Sequence, residues 1–302
     1  MKNFSSQSLY KFIFQVFKRR LFTRLTRRSS NIFLRGQDFI SYGPLLEGIH
    51  EEALTNLIKF YSNSINLSDF LIDVGANIGL TSCQNGNDFK KVFCFEPNPL
   101  CANILETNLA ISLSKENFTI EKFGLGEFPG SFNLFIPKHN WGGAFVNSDE
   151  NEYTEEVLAR KDGFSEFNAS NYVVKKVKVE SAKEVFRNLF SQLAEAKLSK
   201  GIVKIDVEGF EKVILNGIAD SIPKSTQLMI VFENWDNNLN INELKAIFSR
   251  KISIKKLSRT IIGGEQNKIQ KILSMMINKD KTKLVDVDQK MLLTGDIIIE
   301  IF

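Results

Sequence analysis

The 302-residue sequence is poor in cysteine and histidine, which argues against a disulfide-stabilised protein and against a zinc site built from these residues. Its three cysteines, Cys83, Cys94 and Cys101, are an odd number in a long chain, which argues against a disulfide framework and favours a reducing compartment. Their spacing matches no zinc pattern, and the two histidines, His50 and His139, lie far from them in the sequence. We therefore expect buried, apolar cysteines in a cytoplasmic protein.

The sequence also lacks any run approaching the roughly 20 apolar residues that a membrane-spanning helix needs. Acidic residues are missing before Asp38, whereas nine lysines and arginines occur there, and the rest of the chain is mildly acidic. With 43% hydrophobic and 25% charged residues, the composition is otherwise that of an ordinary globular protein with a sizeable core. The positive charge is therefore concentrated at the N-terminus.

Apolar residues near the N-terminus recur at helical spacing: Tyr10, Ile13, Phe14, Phe17 and Leu21 form one stripe, with basic residues crowding its second half. This pattern is typical of a helix lying on an anionic membrane surface. Two alternatives are a helix docked on its own domain and an organellar transit peptide, whereas a secretory signal is disfavoured by the short apolar core.

The difference in charge between the basic N-terminus and the mildly acidic remainder predicts two structural units. Residues 1–45 are predicted to be a basic amphipathic arm, of which residues 1–35 would contact the membrane surface, at the inner membrane face. Residues 46–302 are predicted to form one large domain.

Strand-like and helix-like patterns alternate from residue 70 onward, and the apolar runs are nearly continuous, as in strands buried on both faces. The alternation predicts an α/β fold with a mostly parallel sheet and helices on both of its faces. The predicted strands are 70–75, 91–97, 118–126, 201–209, 227–234, 251–258 and 294–302.

The region of about residues 127–180 breaks this rhythm. Its segments GSFNLFIP and YVVKKVKVES alternate with period two, which predicts an inserted antiparallel hairpin. Between them lies a long polar connection, residues 137–171, of a kind that is usually functional or disordered. We expect this insertion to lie near the site of an acceptor substrate.

The segment FLIDVGANIGLTS, residues 70–82, predicts a strand, a tight turn and a helix, which is a common ligand-binding element. A dinucleotide site would need a third glycine for the pyrophosphate. Here Asp73 ends the strand, and a fixed carboxylate repels a pyrophosphate but attracts a cationic ligand such as S-adenosylmethionine. Glu96, 21 residues after Gly75, is placed to accept hydrogen bonds from a ribose. Two alternatives remain: a nicotinamide-dependent oxidoreductase, and a non-catalytic protein that keeps the fold and works through its N-terminal arm.

Further carboxylates follow later strands. Asp206 and Glu208 end the strand in VKIDVEGFE, and Glu233 ends the next one. Ligands of open α/β sheets bind beyond the carboxyl ends of the strands. Acids there can orient a cofactor, accept a proton or bind a divalent cation. The alternative is that one caps the following helix and the other is solvated.

Five segments in order resemble the FkbM family of S-adenosylmethionine-dependent methyltransferases: DVGANIG (73–79), FEPNP (95–99), GLGEFPGSFNLFIP (124–137), NWGG (140–143) and VKIDVEGFE (203–211). The resemblance covers roughly residues 70 to 235. It implies a Rossmann-like class I methyltransferase sheet whose last strand is antiparallel, and a cofactor of S-adenosylmethionine. It also implies O-methylation of a hydroxyl, often of a sugar in polysaccharide or O-antigen biosynthesis, or of another natural product.

The resemblance further implies cofactor contacts. Asp73, Gly75, Asn77 and Gly79 would line the methionyl end. Glu96, followed by Asn98, would hold the ribose, and the turn containing Leu125 would lie near the adenine.

Catalysis of methyl transfer to a hydroxyl benefits from a general base or a cation beside the acceptor. The candidates are Asp206, Glu208 and His139, of which Asp206 and Glu208 would hold a divalent metal if one is used. Asn140, Trp141 and Glu233 are predicted to contact the acceptor, a glycan or small molecule. The acidic body and the lack of an N-P-P-Y-like motif disfavour a nucleic-acid substrate.

Overall fold

A computed structural model of the chain describes residues 9–25, 32–36, 38–114, 117–148, 151, 154–161, 163, 166–234, 239–260, 281–287 and 291–302. The strands within these residues are β1 Phe70–Val74, β2 Lys91–Phe95, β3 Phe118–Glu121, β4 Gly124–Gly126, β5 Gly130–Pro137, β6 Phe145–Val146, β7 Tyr172–Ser181, β8 Lys200–Ile205, β9 Gln227–Asn234, β10 Ser253–Thr260, β11 Lys281–Asp286 and β12 Gly295–Ile301. The helices are α1 Leu9–Leu25, α2 Tyr42–Leu46, α3 Glu52–Lys59, α4 Leu80–Asn85, α5 Pro99–Ser112, α6 Glu155–Lys161, α7 Ala182–Glu195, α8 Glu211–Ser221 and α9 Ile241–Ile247.

The main sheet has eight strands in the order β11-β10-β12-β9-β8-β1-β2-β3. Strand β1 is paired in parallel with β2 and β8, so that Asp73 lies beside Cys94 on one side and Lys204 on the other. Strand β12 runs antiparallel to β9. The mostly parallel sheet with an antiparallel last strand is therefore confirmed. The carboxyl ends of β1, β2 and β8 meet at one edge, where ligands of such sheets bind.

Both faces of the centre of the sheet are buried, which explains why β1, β8 and β9 are almost continuously apolar. All five residues of β1 are buried, and Ile72 and Leu71 belong to different core clusters. Helices α7 and α8 cover the face of Ile72, whereas α3 and α5 cover the face of Leu71. Burying one such side chain stabilises the fold by about 1.5–3 kcal/mol.

The insertion forms a second sheet of four strands in the order β4-β7-β5-β6. Strands β5 and β7 pair antiparallel, as predicted, but the hairpin is part of this larger sheet. The predicted strand 118–126 is wrong in extent, because the chain leaves the main sheet after Glu121 and Gly124–Gly126 pairs with β7. Strand β11, which pairs with β10, was not predicted.

The cysteines follow the sequence-based expectation in part. All three are unpaired; Cys94 and Cys101 are buried, whereas Cys83 is half-buried.

The basic N-terminal region contains α1, whose apolar side chains Ile13, Phe17 and Phe22 are exposed. In the part of the chain that the structure describes, no helix is long and apolar enough to cross a membrane. Residues 1–8 and 26–31 of the predicted arm lie outside the described residues. Ile32, Leu34 and Ile40 pack against the domain. The division of the chain at residue 45 stays a prediction.

Candidate active site

A cavity of about 280 Å³ lies at the carboxyl edge of β1, β2 and β8. One part of its wall is formed by the turn after β1, the end of β2 and the segment around β4. The other part is formed by residues from the insertion, from the end of β8 and from the segments preceding α3. We call these parts the cofactor half (Gly75–Asn77, Phe95–Pro97 and Phe123–Leu125) and the acceptor half (Ile40, His50, Glu51, Asn140–Val146, Lys161 and Asp206–Glu208).

The turn after β1 is built from left-handed backbone. Gly75, Asn77 and Gly79 have φ values of 74°, 51° and 87°. A Cβ on Gly75 would lie 1.8 Å from the carbonyl oxygen of Asp206, so only glycine fits there. The turn therefore packs directly against the end of β8.

Glu96 is fixed at the edge of this turn by two backbone N–H groups. The N–H of Asn77 donates to Oε2 and the N–H of Asn98 donates to Oε1, each at 2.7 Å. Burial raises the pKa of Glu96 to about 7, although both hydrogen bonds act in the opposite direction. A buried carboxylate with one face toward the cavity suits the hydroxyls of a ribose. Asn98 itself is buried and caps α5 by accepting from the N–H of Leu100.

Asp73 is turned away from the cavity. Its side chain is fully buried; Oδ2 accepts a hydrogen bond from Ser82 at 2.7 Å, and Oδ1 lies 3.2 Å from Nζ of Lys204. The charge that was expected to attract a cationic cofactor is thus balanced inside the protein. Asp73 supports the turn from beneath rather than lining it.

Lys204 is a buried cation that joins β1 and β8. Its Nζ lies 3.2 Å from Oδ2 of Asp206 and donates to the carbonyl of Gly75 at 3.0 Å. Burial lowers the pKa of Lys204, but Asp206 and Asp73 outweigh that effect, so the pKa is raised and the side chain stays charged. The Asp206 side chain is 57% exposed, in the open cavity; the desolvation by the cavity wall that would raise its pKa is outweighed by the Lys204 ammonium, so the pKa of Asp206 is lowered.

A second lysine holds Glu208. Nζ of Lys161, from the end of α6, donates to Oε2 of Glu208 at 2.5 Å, and both side chains are largely buried. Burial raises the pKa of Glu208 to about 7, with Lys161 acting against it. The carboxylates of Asp206 and Glu208 thus both line the cavity, and each is paired with one lysine.

The loop of residues 140–143 closes the cavity beside the turn. The guanidinium of Arg35 lies 4.1 Å from the centre of the Trp141 ring, and the backbone N–H of Trp141 donates to Oδ2 of Asp38 at 3.4 Å. Arg35 also pairs with Asp38 at 3.0 Å. One face of Trp141, which was predicted to contact the acceptor, is therefore covered by Arg35.

Eight of the predicted site residues line the cavity: Gly75, Asn77, Glu96, Leu125, Asn140, Trp141, Asp206 and Glu208. The other five do not: Asp73, Gly79, Asn98, His139 and Glu233. His139 is exposed on the loop, and Gly79 packs against Leu105, where a Cβ would lie 2.6 Å away. Glu233 is also exposed, at the end of β9.

Sequence reasoning missed four charged or titratable residues of the wall: His50, Glu51, Lys161 and Lys204. Lys204 stands two residues before Asp206, in a strand buried on both faces, where an apolar residue is expected. A lysine at such a position was the signal in the sequence that could have identified Lys204 as a functional residue. No local motif marks the other three.

The cofactor half fits S-adenosylmethionine. Among the described residues, no partner reaches Oδ1 of Asn77, which is buried in the turn. Phe123 and Leu125 supply an apolar slot beside Phe95, suited to a purine. Within the described residues, no group of three or more ligand side chains is placed to hold a metal ion.

The sheet order and this edge are those of an S-adenosylmethionine-dependent methyltransferase with a Rossmann-like fold. The profile of the methyltransferase FkbM domain matches residues 73–250, more than half of the chain, and the chain belongs to the FkbM methyltransferase family. The resemblance seen in the sequence is thereby confirmed.

Individual relatives are more distant. Methyltransferase sdnD of Sordaria araneosa is 25% identical over 197 residues, covering 62% of this chain and 74% of that protein. The O-methyltransferase from Bacillus cereus, solved with S-adenosylhomocysteine, aligns at 9% identity and a TM-score of 0.41, covering 100% of this chain and 94% of that one. Precorrin-6y C5,15-methyltransferase from Geobacter metallireducens aligns at 10% identity and a TM-score of 0.37, covering 83% and 93%.

Proposed function

We propose that this methyltransferase transfers the methyl group to a hydroxyl of a sugar, in a glycan of the polysaccharide or O-antigen type. The observation that carries the proposal is the composition of the acceptor half. Three carboxylates, those of Glu51, Asp206 and Glu208, line it together with Asn140 and Trp141. Carboxylates and amides hydrogen-bond well to polyhydroxylated rings, and the face of an aromatic ring packs against their apolar faces.

The chain's own residues would bind and orient the acceptor. Lys204 keeps Asp206 ionised, so that this carboxylate can accept a hydrogen bond from a sugar hydroxyl. Lys161 fixes Glu208 in one orientation. When bound, S-adenosylmethionine supplies an electrophilic methyl group on a sulfonium. Holding the acceptor oxygen in line with that methyl can account for about 7–11 kcal/mol of barrier reduction.

The alternative acceptor is a hydroxyl of another small molecule or natural product. Both acceptors would be bound by the same carboxylates. Because the chain belongs to a methyltransferase family, a nicotinamide-dependent oxidoreductase is no longer an alternative.

Label transfer tests the proposal. Purified protein is incubated with S-adenosylmethionine labelled in its methyl group and with an extract of the source cells, which is then fractionated. We expect base-stable label in the glycan fraction and, after acid hydrolysis, a methylated monosaccharide. Label in low-molecular-weight metabolites would support the alternative, and label in protein or nucleic acid would contradict both.

We further propose that α1 holds the enzyme at an anionic membrane surface, where lipid-linked glycans are assembled. Exposed apolar residues, including Phe14 and Phe17, share this helix with Lys18, Arg19 and Arg20, and it contains no acid. Each basic residue near an anionic surface contributes about 1 kcal/mol.

Cosedimentation with phosphatidylserine vesicles tests this second proposal. Replacing Lys18, Arg19 and Arg20 by Gln should weaken binding on the order of 100-fold, since three charges contribute about 3 kcal/mol. A matched control replaces three exposed lysines of β7, Lys175, Lys176 and Lys178, and should bind like the wild type. Equal losses in both variants would contradict a specific role for α1.

A further inference from the structure

The acceptor half contains a histidine that lies outside every motif of the family. His50 and Glu51 precede the matched residues 73–250 and stand at the entry to α3. Both line the cavity. Neither belongs to the set of residues that hold the cofactor half together. Their placement therefore needs an explanation beyond cofactor binding.

The backbone at this entry is strained. Glu51 has φ 44° and ψ 65°, a left-handed conformation that costs a residue with a side chain about 1–2 kcal/mol. Such strain persists where surrounding contacts enforce it, and it is frequent at functional sites.

Gln84 supplies the enforcing contacts. Its Oε1 accepts the N–H of His50 at 2.6 Å, and its Nε2 donates to the carbonyl of His50 at 3.1 Å. Thr55 donates to the same carbonyl at 3.2 Å. Gln84 belongs to α4, the helix that begins at the cofactor turn. His50 is thus fixed relative to the place where the reactive end of the cofactor would lie.

Charged groups from several elements act on the His50 ring. Glu51 approaches from its own segment, with Oε2 3.6 Å from Nε2 of His50. Lys204 acts from β8, Asp206 from the residue that follows β8, and Asp73 from β1. Burial lowers the pKa of His50, the three carboxylates oppose this, and Lys204 adds to it, so the pKa lies below its ordinary value of 6.5. The imidazole is therefore neutral at pH 7 and able to accept a proton.

The carboxylates of the acceptor half are less suited to that task. Oδ2 of Asp206 lies 3.2 Å from Lys204, and Oε2 of Glu208 accepts from Lys161. A proton placed on either carboxylate would weaken its pairing with a buried cation, which is costly. A proton placed on His50 instead creates an imidazolium next to Glu51, which stabilises it.

We propose that His50 accepts the proton of the acceptor hydroxyl during methyl transfer and that Glu51 stabilises the imidazolium. The inference rests on the proposed function in requiring a hydroxyl acceptor. The acceptor oxygen forms a bond to the methyl carbon as the carbon–sulfur bond breaks, and that electron pair stays on sulfur, which becomes neutral. The hydroxyl proton passes to the imidazole and from there to solvent.

The first test observes the histidine directly by nuclear magnetic resonance of the full chain labelled with ¹⁵N-histidine. The sequence has only His50 and His139, so the variant His139→Gln assigns both. We expect His50 to be neutral at pH 7, with S-adenosylhomocysteine present or absent. Glu51→Gln should lower its titration midpoint further, because the carboxylate raises the pKa. A protonated His50 at pH 7 would overturn the proposal.

The second test follows initial rates of label transfer to the source-cell extract as a function of pH. His50→Gln should lower the rate by about 100-fold or more and remove the acidic limb, while its affinity for S-adenosylhomocysteine stays within about twofold. The wild-type limb should have its midpoint below 6.5, and His139→Gln should keep it.

Glu208 is the competing base. If it accepted the proton, the limb would lie near pH 7 and Glu208→Gln would remove it. A limb near pH 7 that Glu208→Gln removes would overturn the proposal. So would a His50→Gln variant that keeps the wild-type rate and the acidic limb of the pH–rate profile. Label found outside glycan, with the limb of His50 intact, would instead contradict the sugar acceptor alone.

Discussion

The two halves of the cavity are built from different parts of the chain and by different forces. The cofactor half consists of backbone turns at the ends of adjacent strands, shaped by positive-φ residues such as Gly75 and by backbone N–H groups on Glu96. The acceptor half consists of charged side chains from distant segments, held by Lys204 and Lys161. We therefore expect cofactor binding to depend on backbone shape, and binding of the proposed acceptor to depend on paired charges.

The largest effect is expected from Lys204→Met, because Lys204 serves both halves. The change leaves the fully buried Asp73 without its cation, and breaking such a buried pair costs about 3–5 kcal/mol of unfolding free energy. Denaturant unfolding measures it. Adding Asp73→Asn should restore part of the loss.

Lys90→Met is the control, since the Lys90 side chain is 65% exposed in its pair with Asp69. Its cost should stay below about 1 kcal/mol. If Lys90→Met cost as much as Lys204→Met, the buried pairing would not be what joins the two halves.

The next effect concerns the cofactor half alone. Gly75→Ala places a Cβ against the carbonyl of Asp206 in left-handed backbone, and we expect a loss of about 2–4 kcal/mol with greatly weakened cofactor binding. Thermal unfolding and calorimetry with S-adenosylhomocysteine measure both. Gly295→Ala is the matched control, with φ 84° and nothing within 4 Å of the added Cβ. Equal losses in the two variants would show that backbone strain, and not the contact with β8, sets the cost.

Cofactor affinity should depend on pH through Glu96. Burial raises its pKa to about 7, and ribose hydroxyls bind the ionised form. Affinity for S-adenosylhomocysteine should therefore be highest above pH 7 and fall as the pH drops below it, approaching tenfold per unit. Calorimetry at several pH values measures this. Glu96→Gln should bind S-adenosylhomocysteine more weakly and without that pH dependence. If the variant kept the pH dependence, a group other than Glu96 would cause it.

The smallest effect is expected from Arg35→Ala, which uncovers Trp141 in the acceptor half. Losing the cation–π contact removes about 0.5–1 kcal/mol. We expect the KM for the acceptor to rise a few-fold and the affinity for S-adenosylhomocysteine to stay unchanged. Arg187→Ala, which removes an exposed pair with Glu184, should alter neither. A loss of cofactor affinity in Arg35→Ala would contradict the prediction that this residue affects the acceptor half alone.

The cofactor half was largely predictable because its signals are local. Apolar runs mark β1, β2, β8 and β9, and the glycines of the turn stand next to the strand that they follow. Glu96 could be placed because parallel strands end at one edge. The exception is Asp73, whose charge was expected to face the ligand. Its partner Lys204 lies 131 residues away, and no local pattern shows that the two side chains meet.

The acceptor half was harder to predict for the same reason. His50, Glu51 and Lys161 come from segments without a motif, and only the packing of α3, α4 and α6 brings them to the cavity. His139 was a predicted candidate base in the long connection of residues 137–171, yet its side chain is exposed, and His50 was not considered for that role. Sequence proximity to a motif was a poor guide where long-range packing decides the position.

Calorimetry with S-adenosylhomocysteine on two single variants tests the division of the cavity most directly. Glu96→Ala removes charge-assisted hydrogen bonds of the cofactor half and should weaken binding at least about tenfold. Glu208→Gln alters only the acceptor half and should bind within about twofold of the wild type, while its KM for the acceptor rises. Unchanged binding by Glu96→Ala, or equal losses in both variants, would contradict the account.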